Sequence, residues 1–170
     1  FAACFAAVRL RLWLLPLGLA WLAFLPNSPY LVTDLVHLEE GVDFWRHVLQ
    51  YGFAAWTGIL LGVVSLRLVH DRIERDFGAF AGWVAVIVSI PLCAIGIVIG
   101  RFQRWNSWDL VRQPKEVLGT TLEWMRSPFA DTTSTGVALA VAAFFGLAYV
   151  TIWSLGAAYG RTESANQELR

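Results

Sequence analysis

The chain has 170 residues, 57% hydrophobic and 15% charged, with a mean hydropathy of +0.56. Soluble domains average about 45–50% apolar and about 25% charged, so both departures point to the bilayer. Thirteen Lys and Arg balance thirteen Asp and Glu, which argues against a nucleic-acid partner, since such partners need a basic face.

The chain opens on "FAACFAAV", residues 1–8, ahead of Arg9 and Arg11. A bilayer crossing takes about 20 residues, so this stretch reads as the stub of a helix cut off upstream. Its charges follow the apolar run, which is the wrong order for a signal peptide. Four full spans are expected next, at about 12–38, 48–69, 80–100 and 135–158. Pro16, Pro26, Pro29 and Pro91 lie inside them, and membrane helices tolerate proline where neighbours satisfy the freed backbone groups. Gly58/Gly62, Gly96/Gly100 and Ala138/Ala142/Gly146 recur at four-residue spacing, which reads as faces for close helix packing and for helix-mediated self-association. Between the last two spans, Val117, Leu118, Thr121, Leu122 and Met125 share one helical face, as in a short interfacial helix. Residues 161–170 form a polar tail. The expected fold is an all-α polytopic transmembrane bundle, one domain over residues 1–160.

Cys4 and Cys93 sit in apolar stretches without CxxC spacing and read as core residues, not as metal ligands or a disulfide. His47 and His70 fall among charges at loop edges and are expected to be solvated. The loop Arg67–Asp76 groups with Arg9, Arg11, Arg161 and Arg170 on one face, giving seven basic residues against six on the other. The positive-inside rule then places that face and the tail in the cytoplasm. Whatever the orientation, alternation of spans brings the ends of the first and third to one face.

Those ends carry the most polar sequences beside the membrane, "PNSPYLVTDLVHLEE" and "GRFQRWNSWDL". Pro26 and Pro29 should break the first span. Asn27 or Ser28 is then expected to cap a restarted helix whose N–H groups face an anion. Asp34 and His37 follow on one face, and an aspartate at that depth needs a cation; Arg101 and Arg104 are the candidates, three apart and on one face if the helix continues. Trp105 and Trp108 suit either the aromatic belt, where the chain's nine tryptophans have a natural place, or stacking on a ligand. Asp34 and His37, even with Glu39, Glu40 and Asp109, make a weak metal set, so neither metal nor cofactor is expected. Ser28 and Ser107 lack a nucleophile motif.

With Pro26, Asn27, Pro29, Tyr30, Asp34 and His37 in one motif and Gly100, Arg101, Arg104, Trp105, Asn106, Ser107 and Asp109 in the other, the chain resembles the bacterial integral membrane family called domain of unknown function 1361. The resemblance runs over almost the full length. It implies a multi-pass protein of the bacterial plasma membrane with a further helix upstream, and no established activity.

Three functional readings stand. The first is binding or transport of an anionic lipid-like ligand, such as a membrane lipid or carrier-lipid head group, at Asn27, Ser28, Asp34, His37, Arg101, Arg104, Trp105, Asn106 and Asp109. Arginine's planar fork suits phosphate. The second is an intramembrane lipid-modifying enzyme using Asp34 or His37 as acid/base. The third is a structural or assembly protein in which the motifs form an inter-helix ion-pair network.

Overall fold

The computed structural model describes residues 16–37, 43–127 and 131–168, with side chains as far as 159 and without those of 36 and 37. The expected stub at 1–8 lies outside them, as do Leu38, Glu39 and Glu40.

All described elements are helical. In chain order they are α1 (16–24), α2 (Asn27–Tyr30), a 3-10 helix (Leu31–His37), α3 (Phe44–Phe77), α4 (Ala79–Phe102), α5 (Asp109–Arg112), α6 (Pro114–Arg126) and α7 (Thr132–Glu168). Three of them are long and apolar enough to cross a membrane: α3, α4 and the Thr132–Tyr159 part of α7. The bundle turns much of its apolar surface outward, with Phe53, Trp56, Ile87, Leu139 and Leu147 all exposed. Lipid is the solvent that makes such a surface inexpensive.

The expected first span is not one continuous helix. Proline has no N–H, so Pro29 cannot bond the carbonyl of Leu25, and the Ser28 N–H takes that carbonyl instead at 3.1 Å. The chain tightens there, makes the single turn α2 and continues as a 3-10 helix. The residue at the start of α2 is Pro26, with no side-chain cap; neither Asn27 nor Ser28 caps the restart.

Glycines receive this break. A Cβ at Gly58 of α3 would lie 2.2 Å from the Ser28 carbonyl oxygen, and one at Gly96 of α4 would lie 2.6 Å from Pro26 Cγ. Gly62 is filled from two sides, by Ser28 and by Phe145 of α7. The small-residue spacing in α3 and α4 therefore seats the broken helix. Farther along, Trp21 Nε1 donates to Ser65 Oγ at 2.7 Å, tying α1 to α3. The core below holds Val63, Leu66, Ile97, Phe145 and Tyr149, all fully buried.

The segment Arg67–Asp76 is the last part of α3 and not a loop. Two i,i+4 pairs, Arg67–Asp71 at 3.0 Å and Arg72–Asp76 at 2.9 Å, line its surface, a spacing that supports helix. Gly78, at φ 90°, alone joins α3 to α4; only glycine takes that conformation cheaply. The expected interfacial helix is α6. Val117 is buried, Thr121 is half-buried, and Leu118, Leu122 and Met125 remain exposed. Trp124 Nε1 donates to Ser134 Oγ at 3.0 Å, anchoring α6 to α7.

At the start of α7, Asp131 accepts the N–H groups of Thr133 at 3.1 Å and Ser134 at 3.3 Å. The Ser134 hydroxyl and these N–H groups hold the carboxyl below its ordinary value of 3.8. A depressed carboxylate contributes stability above its unfolded pKa and loses it as pH falls through the folded one. Asp131→Asn should therefore flatten the acid side of the stability profile, measured by thermal unfolding in detergent from neutral pH downward. In the same assay Gly58→Ala should destabilise by about 1–3 kcal/mol, an overpacking cost. Gly156→Ala, where a Cβ meets nothing within 4 Å, should be neutral or gain up to about 1 kcal/mol.

Candidate functional site

The two polar motifs meet. Arg101 in the last turn of α4 donates from Nη1 to Asp34 Oδ1 of the 3-10 helix at 3.1 Å. The pair is largely shielded, with side-chain exposures of 19% for Arg101 and 28% for Asp34. The Arg101 guanidinium also lies 5.9 Å from the centre of the Tyr30 ring, within the range of cation–π attraction.

Arg104 does not share that face. α4 ends at Phe102, and Arg104 takes a left-handed conformation at φ 60° that turns the chain back. The Trp105 N–H closes the turn on the Ile99 carbonyl at 3.4 Å. Helices commonly end this way with glycine; an arginine here holds a conformation costing of order 1 kcal/mol. Its side chain is exposed and has no hydrogen bond or ion pair with a described residue.

The rest of the second motif is a latch. Asp109 Oδ2 accepts the Asn106 N–H at 2.7 Å, while the Asp109 N–H donates to the Asn106 carbonyl at 2.9 Å. Ser107 Oγ donates to the Ala23 carbonyl of α1 at 3.1 Å. Trp108 is exposed and meets the Phe24 ring edge-on at 5.5 Å. These contacts hold the turn across the end of α1.

Between α1, α2, α4 and α6 this leaves a cavity of about 580 Å³. Leu22, Ile95 and Leu118 line its walls, and Asn27, Tyr30 and Asn106 bring polar groups to it. Asn27 also lines a second hollow of about 440 Å³ on the α3 side, together with Ser28 and Thr57. Of the residues expected at the site, Asn27, Trp105 and Asn106 line the larger cavity and Ser28 the smaller. Asp34 and Arg101 pair with each other, Asp109 accepts a backbone N–H, and the His37 side chain lies outside the described residues. No three His, Cys, Asp or Glu side chains come together among the described residues.

These motifs are held in contact over a chain that a family profile, that of a protein of unknown function (DUF1361), matches from residue 4 to residue 152. The chain belongs to the DUF1361 family. No curated protein and no solved structure matches it.

Two participants escaped the sequence reading. Tyr30 was legible only as a motif residue, although its ring meets Arg101. His70, expected to be solvated, is fully buried. Its signal was its spacing from Val63 and Leu66, which puts it on the inward face of α3.

If the Arg101–Asp34 contact joins α4 to the 3-10 helix, a double-mutant cycle should show it. Asp34→Asn combined with Arg101→Gln should give a coupling of about 1 kcal/mol or more. Additive single effects would mean that the pair contributes nothing to holding the motifs together.

Proposed function

We propose that this DUF1361 protein is a multi-pass protein of the cell membrane that binds, or moves, an anionic amphiphile such as a phospholipid or carrier-lipid phosphate. Its chain would lie in the cavity, and its head group at the turn holding Arg104 and Asn106. The observation that carries this reading is the cavity itself, an apolar space bounded by both polar motifs. Apolar walls with a few convergent polar groups are the usual form of a ligand site. Arg104 supports it further, since its exposed side chain precedes the cavity-lining Trp105 and Asn106, and a guanidinium takes a phosphate bidentately.

The assembly reading also has an observation in its favour. Arg101 and Asp34 engage each other, while Ser107 and Asp109 hold backbone, as a staple between helices would. The lipid-modifying enzyme draws less support from Asp34, one of its two acid/base candidates, which faces Arg101 and does not line the cavity; the side chain of the other, His37, lies outside the described residues.

Native mass spectrometry of the protein released from mild detergent tests this. Wild type should retain a phospholipid or isoprenoid-phosphate mass. Ile95→Trp, which fills the cavity, should lose it. Arg104→Gly relaxes the backbone while removing the guanidinium, so it should fold at least as well and bind about tenfold more weakly, a loss of about 1.4 kcal/mol. A bare mass for wild type, or an adduct that Ile95→Trp keeps, would assign the motifs to helix assembly alone.

A further inference from the structure

At the end of the bundle remote from the cavity, a cluster of ionisable groups is buried between α3, α4 and α7. His70 and Tyr149 are both fully buried, and His70 Nδ1 shares a hydrogen bond with the Tyr149 hydroxyl. The other ring nitrogen, Nε2, has no hydrogen-bond partner among the described residues. It faces Glu74 Oε2 at 3.6 Å, and the Glu74 carboxylate is 44% exposed.

The ring is enclosed on its remaining sides. Trp83 of α4 meets it edge-on with centroids 4.9 Å apart, and Trp83 in turn packs against Trp153 of α7 at 5.0 Å. Gly82 supplies the space, since a Cβ there would lie 2.6 Å from His70 Cδ2 and 2.8 Å from Nε2. A side chain so fully accommodated by its neighbours, yet with one polar atom unmatched, is set for a second state.

Charge balance identifies that state. On α3 the groups around His70 are Arg67, Asp71 and Glu74. Arg67 bonds Asp71 through Nε to Oδ2 at 3.2 Å and Nη2 to Oδ1 at 3.0 Å, and it also faces the Tyr149 hydroxyl, with its Nη1 buried and without a hydrogen-bond partner among the described residues. Glu74 is left without a compensating charge in the cluster. From α4 the neighbours are Gly82 and Trp83, which do not titrate, and α7 contributes Tyr149. One proton on the ring would neutralise the cluster.

We infer that His70 is a proton-binding site, loaded from water by way of Glu74. The step adds one proton from hydronium, which leaves as water, to the ring nitrogen that carries the lone pair, and breaks no bond in the protein. The imidazolium then has two N–H donors, one directed at the Glu74 carboxylate of α3 and the other at the Tyr149 oxygen of α7. The same proton would thus tie two membrane helices together. The inference stands apart from the cavity and its ligand.

The test is ring ¹⁵N NMR of full-length, histidine-labelled protein in lipid nanodiscs. The chain has three histidines, so His70→Gln assigns the signal by difference. Between pH 8 and pH 5, roughly the range in which histidine works as a switch, the two His70 ring shifts should converge to the imidazolium pair. In Glu74→Gln, a surface-end change that the fold tolerates, the transition should move down by about one pH unit, the effect of losing an opposite charge at this range. Ring shifts that stay split to pH 5 would overturn the proposal. So would a transition that falls at the same pH in wild type and Glu74→Gln.

Discussion

The contact on which the rest of the structure depends is that of Ser28's carbonyl oxygen against the bare backbone of Gly58. Proline at 29 forces the chain to tighten at Leu25–Ser28, and a tightened turn in an apolar environment needs neighbours that come close. Gly58 and Gly62 admit it from the α3 side, and Gly96 admits Pro26 from the α4 side. The break is therefore held at a fixed height between two long helices. Everything after it, including the 3-10 helix carrying Asp34, takes its direction from that position.

The cavity follows from the same constraint. The space opens beside α1 and α2, where Leu22, Pro26 and Tyr30 face Ile95 and Gly100 of α4. α6 and the turn at Arg104–Ser107 close the space that results. The turn is held by hydrogen bonds to backbone, Ser107 to Ala23 and Asp109 to Asn106, which keep its shape without filling the cavity with side chains. The guanidinium of Arg101 is used to join the walls, and the Arg104 side chain is left exposed. The two arginines of the motif thus differ in role although they are only three residues apart.

The opposite end of the bundle is built on another principle. There α3 runs on as helix past its apolar part, and the ion pairs along its surface let a charged segment keep its helical hydrogen bonds. Because α3 does not unwind at Arg67, His70 stays on the inward face defined by Val63 and Leu66 and meets Tyr149. Reading Arg67–Asp76 as a loop from its charge density put His70 in water. Charge density marks where a helix leaves the hydrocarbon, and the helix need not end there.

Much was legible in the residues taken alone. Hydrophobic runs gave the three long helices to within a few turns, because a bilayer demands internally bonded backbone over a set length. Proline has one consequence for an N–H wherever it occurs, so the break near Pro26 was also readable. Spacing does not reveal where a helix stops, and one left-handed residue at Arg104 separates two side chains that a continued α4 would have aligned. Nor does it reveal which neighbour supplies a partner: Asp34 had two candidate cations, and the packing of the 3-10 helix beside the last turn of α4 selected Arg101. Local chemistry decides where backbone hydrogen bonds can form. Only the packed helices decide which polar groups are brought within 3 Å of one another, since that depends on residues far apart in the chain.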